Sequence, residues 1–117
     1  MRNLLALAFV AISTTCAMAQ EIGGRYAVAG TSLNGSPYTG EAIITLTSET
    51  TCEIEWITAD GSSTGICMRN QNAFSAGYVL GDAVGLVIYE VMDDGSMSGI
   101  WTIAGQEGTG TEVMTPM

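Results

Sequence analysis

The sequence predicts an all-β fold: a single small antiparallel up-and-down barrel of about eight strands, with a two-sheet β-sandwich as the alternative. Three observations lead there. Gly, Thr, Ser, Ile and Val dominate the chain beyond its first twenty residues, and no apolar stripe of helical period runs through it. Turn signals recur every ten or so residues, at Asn34-Gly35, Ser48-Glu49, Asp60-Gly61, Arg69-Asn70-Gln71-Asn72, Gly81-Asp82, Asp94-Gly95 and Gly105-Gln106. Between the turns, residues two apart share a character, as side chains on one face of a strand must. The strand cores fall at 25–31, 38–47, 51–57, 63–68, 73–80, 83–92, 96–103 and 109–115.

The chain opens on a segment of another kind. Arg2 supplies a positive charge, Leu4 to Ile12 an apolar run too short to span a bilayer, and Ala17-Met18-Ala19 an A-x-A cleavage site. Residues 1–19 are therefore predicted to be a signal peptide and 20–117 a single all-β domain, periplasmic or secreted from a bacterium. Cleavage would discard Cys16 and leave Cys52 and Cys67.

The first two strands meet at Asn34-Gly35-Ser36, which matches a glycosylation pattern but reads better as a tight Asn-Gly turn. The third and fourth meet at a four-residue loop, Thr58-Ala59-Asp60-Gly61. That loop sets Cys52 opposite Cys67, Ile54 opposite Gly65 and Trp56 opposite Ser63. In an oxidising compartment the pair is a disulfide, worth roughly 3 kcal/mol in the chain-entropy model. A redox-active pair would want C-x-x-C spacing and a neighbouring Lys or His, and has neither. On this hairpin Glu53 and Glu55 point to water, as solvated charges that discourage edge pairing.

A two-residue Gly81-Asp82 turn pairs Tyr78 with Gly85 and Phe74 with Tyr89. A three-residue Asp93-Asp94-Gly95 loop pairs Met92 with Ser96, Tyr89 with Gly99 and Val87 with Trp101. Both turns choose the same inward face, and twice an aromatic ring faces a glycine, which makes room for it. The last strand closes on the first, with Gly110 to Val113 against Arg25 to Val28. Glu112 then sits beside the seam, near Arg25.

With no histidine and no lysine, the chain excludes His-activated nucleophiles, Lys Schiff bases and imidazole–zinc sites. No residue qualifies as catalytic, cofactor-binding or metal-ligating, and an enzyme is not expected. Without the leader, two arginines face twelve carboxylates, a formal charge of −10. Binding to nucleic acid or anionic lipid through charge is disfavoured, while attraction of cations or basic partners stays open. No integral membrane segment is predicted after cleavage. Tyr26, Tyr38, Trp56, Phe74, Tyr78, Tyr89 and Trp101 should fill the interior and leave little free volume. Trp56 and Trp101 are the candidate ligand-stacking residues, with core packing the competing use.

Taken together, Gly24-x-Tyr26-x-Val28-x-Gly30-Thr31, Asn34-Gly35-Ser36-x-Tyr38-x-Gly40, Trp56, Gly85-Leu86-Val87-Ile88-Tyr89, Asp94-Gly95-x-x-x-Gly99-x-Trp101 and Gly110-Thr111-Glu112-x-x-Thr115-Pro116 resemble a group of small exported bacterial proteins labelled fibronectin-binding. More distantly, the G-x-Y and G-x-W repeats resemble avidin-like and lipocalin-like barrels. The first resemblance implies an all-β exported protein that adheres to a host matrix protein, and carries over no ligand-contact residue. The expected function is thus a non-enzymatic binding module with an extracellular or envelope protein as partner. The alternative is a small barrel carrying an apolar molecule. An open mouth lined by Trp56 or Trp101 would favour the carrier, and a packed interior would exclude it.

Overall fold

In the computed structural model, which describes residues 21 to 117, eight strands follow one another without a helix between them. They are β1 (Gly24–Thr31), β2 (Pro37–Leu46), β3 (Thr51–Thr58), β4 (Gly61–Asn70), β5 (Ala73–Leu80), β6 (Ala83–Val91), β7 (Met97–Ile103) and β8 (Gly110–Pro116). Every strand pairs antiparallel with its neighbours in sequence, and β8 returns to β1 to close the barrel. A sandwich would leave unpaired edges, and closure removes them. The predicted signal peptide lies outside the described residues.

Pairing follows the predicted registers on the turns that set them. Cys52 faces Cys67, Trp56 faces Ser63, Tyr78 faces Gly85 and Tyr89 faces Gly99. Cys52 and Cys67 are bonded, with Cα atoms 5.0 Å apart. The hairpin between them is tighter than expected. Thr58 pairs with Gly61, so the turn is the dipeptide Ala59-Asp60 rather than a four-residue loop, with the register unchanged. Likewise Asn70 pairs with Ala73, and Gln71 takes the left-handed φ of 57° that this two-residue turn requires.

The seam differs more. Tyr26 pairs with Pro116, Val28 with Met114 and Gly30 with Glu112, four residues from the expected register. Alternation alone permits either, because an even shift leaves the same side chains inside. The stagger that accumulates around a closed barrel decides between them.

Connections after β1, β3, β5 and β7 gather at one end of the barrel, and both chain ends at the other. The second end is packed solid. Phe74, Met97 and Met114 are fully buried there, beside the disulfide, and Ile22 plugs the opening while its carbonyl accepts a hydrogen bond from Tyr26 Oη at 2.7 Å. Large rings fit inside because glycine stands opposite them. A Cβ built on Gly85 would lie 2.3 Å from Tyr78 Cζ, and one on Gly99 would lie 2.2 Å from the Ile88 carbonyl oxygen and 2.8 Å from Tyr89 Cδ1.

The outer wall is two-sided. Over β1 to β3 it carries Arg25, Glu41, Glu53 and Glu55, with Arg25 in a salt bridge to Glu41. Over β4 to β7 it carries Ile66, Met68, Leu86, Ile88 and Ile100, each about half exposed or more.

Candidate ligand cavity

The end opposite the plug is open. A cavity of about 250 Å³ descends into the barrel there, lined by Tyr38, Trp56, Tyr78, Tyr89, Trp101 and Glu112, with Ser32, Thr58, Asp60, Ser63, Leu80 and Val87 completing it. The sequence predicts little free volume, and this is a correction. Rings placed opposite glycines and small residues lean across the strands rather than filling the axis. Trp56 tilts against Tyr78 with centroids 4.9 Å apart, and Tyr38 meets Trp101 edge-on at 6.2 Å. Deeper in, Tyr89 stacks on Phe74, where the solid half begins.

Glu112 is the one buried charged side chain among the described residues, 5% exposed. It sits on the inner face of β8, between Gly110 at the open end and the buried Met114. The sequence predicts Arg25 as its neighbour, but Arg25 lies on the outer wall with Glu41. In place of a cation, Glu112 has three neutral donors. Tyr38 Oη donates to Oε1, while Trp56 Nε1, at 2.8 Å, and Tyr89 Oη both donate to Oε2. Burying a carboxylate without such partners would cost several kcal/mol.

The network shows in the phenols. Burial raises Tyr38, Tyr78 and Tyr89 above the ordinary phenol value, and the nearby charge of Glu112 raises them further. Tyr78 is pushed up to about 12. All three are therefore neutral donors or apolar faces at physiological pH. The cavity thus presents one carboxylate among aromatic rings and hydroxyl groups.

Both tryptophans singled out in the sequence line this cavity, while the two cysteines lie in the packed half. Glu112 was missed, although a signal existed: Gly110, Glu112 and Met114 alternate with Thr111, Val113 and Thr115, so a glycine and a methionine share its face. A larger hollow of about 740 Å³ runs along the outer wall past Ile66, Leu86 and Ile100. Its exposed lining is almost wholly apolar, whereas a buried carboxylate and several hydroxyl groups converge on the interior cavity, which is therefore the candidate site.

No family model and no curated protein matches the sequence. Solved structures do. The chain is similar to a redesigned β-barrel at TM-score 0.70 and 16% identity, over 82% of this chain and 91% of that one. It is also similar to a redesigned β-barrel bound to DFHBI, at TM-score 0.68 and 16% identity, over 80% and 94% of the two chains. A de novo designed fluorescence-activating β-barrel follows at TM-score 0.64 and 16% identity, over 81% and 93%. Identity at this level establishes the shared closed barrel and nothing of function.

Proposed function

We propose that this protein is a small-molecule binder that holds its ligand in the open half of the barrel. The observation that carries this reading is the aromatic-walled cavity of about 250 Å³ with a single buried carboxylate aimed into it. Small ligand sites are concave and mostly apolar, with a few placed polar groups. This one falls below the range for drug-sized molecules, so the ligand is about one ring in size. That some similar barrels are designed to bind small fluorophores supports the fold's capacity for such a site.

Adhesion to a matrix protein such as fibronectin is the second reading. The half-exposed Ile66, Leu86, Ile88 and Ile100 favour it, as an uncharged face suited to protein contact. One experiment separates the two. The indole N–H resonances of Trp56 and Trp101 are followed by NMR as single-ring aromatic molecules are added, and the same preparation is passed over immobilised fibronectin. Saturable shifts of both indoles, with no retention on fibronectin, are expected. Salt-resistant retention, with both indoles unmoved by every small molecule, would replace the carrier by the adhesin.

A further inference from the structure

We propose that the cavity selects small organic cations: a protonated amine or related nitrogen cation on a single ring or a short branched chain. This rests on the small-molecule reading and names its ligand class. The juxtaposition that carries it is Glu112 among the aromatic side chains that line the cavity.

Four features converge. Glu112 is 95% removed from solvent, yet the groups that satisfy it are two phenols and an indole, none of which carries charge. Arg25, in its ion pair with Glu41, is on the outer wall. These donors satisfy the carboxylate without supplying a positive charge, and of its roughly four lone-pair positions three are taken. A ligand N–H can take the fourth.

Around that position stand the rings of Tyr38, Trp56, Tyr78 and Trp101. The faces of tryptophan and tyrosine carry negative potential and attract cations, most strongly where water is excluded. Asp60 lines the rim and adds a second negative charge at the entrance. Finally, twelve carboxylates against two arginines in residues 21–117 give the barrel a field that concentrates cations and repels anions. A carboxylate ligand would meet Glu112 with no arginine in the cavity lining to offset the repulsion. A metal ion is a poor match: among the described residues no three acidic or thiol side chains gather to hold one, and most of the cavity wall is carbon.

The test is a charge series of near-identical shape: benzylammonium, benzyl alcohol and benzoate, titrated into the protein at pH 7 with tryptophan fluorescence and calorimetry as readouts. Benzylammonium should bind about tenfold more tightly than benzyl alcohol, and benzoate most weakly. Glu112→Gln should bring the ammonium to within about twofold of the alcohol. If benzyl alcohol equals or exceeds benzylammonium, or benzoate binds best, the cation preference is overturned while the cavity still stands as a binding site. If none of the three binds, the small-molecule reading falls and this proposal with it. Should Glu112→Gln fail to fold, the ranking on the unaltered protein still decides.

Discussion

At Glu112 a carboxylate holds its place by recruiting neutral donors, and the neighbouring phenols bear the consequence. All four tyrosines are raised by burial, Tyr38, Tyr78 and Tyr89 also by the charge of Glu112. In the unfolded chain each phenol loses its proton near pH 10. The unfolded state therefore sheds protons first as pH rises. Stability is intact below pH 10 and declines as pH climbs toward about 12, where Tyr78 titrates in the folded protein. Urea midpoints should be flat from pH 7 to 9 and fall above 10, with no tyrosinate absorbance near pH 10 while the fold is intact. A reversible rise in that absorbance near pH 10, with the fold intact, would contradict this. Only part of this was legible from sequence: alternation in β8 gives Glu112 the face of Gly110 and Met114, but Val113 beside it is apolar too, and the seam register that sets Glu112 against Gly30 depends on closure rather than on any turn.

At the scale of strands, the pairing of ring with glycine is the organising device. It recurs at Gly30 with Tyr38, Gly85 with Tyr78, Gly99 with Tyr89 and Gly110 with Trp101. Two of these pairings follow directly from turns in the sequence, Gly81-Asp82 and Asp93-Asp94-Gly95, because a tight turn fixes register for the whole hairpin. Gly85→Val and Gly99→Val should each destabilise by about 1–3 kcal/mol through overpacking, since a Cβ at either would lie 2.3 Å or less from its neighbour. Ser98→Val, on the outer face of β7, should be near neutral. Chemical denaturation of the three variants checks this, and a reversed order would mean that the two faces of β6 and β7 are exchanged. The disulfide acts at the same scale: it ties β3 to β4 inside the packed half, where local pairing alone had placed the two cysteines opposite each other.

For the whole molecule, strand count and order follow from turn spacing, and local pairs from turn type. Two global properties do not. The seam joins residues eighty or more apart, for which no turn sets a register, and the cavity arises from how five aromatic side chains lean once the ring is closed. Composition predicts that these rings are inside. It does not say whether their volumes meet across the axis, because that depends on strand tilt and stagger.

Closure has a further meaning. Met117 N donates to the Arg25 carbonyl at 3.0 Å, so the two ends of the domain lie side by side at the plugged end. A ring of eight strands has no intrinsic first member, so its chain can be opened at a different turn. Joining 117 to 21 by a short linker and opening the chain between Gln71 and Asn72 should relieve the left-handed Gln71, keep the cavity mouth untouched and yield the same barrel. The longest-range pairing would then be β4 with β5 instead of β8 with β1, so folding kinetics should change while the spectrum of the two tryptophans does not. A permutant that forms no ordered barrel would show that the order of synthesis, and not the ring alone, specifies this fold.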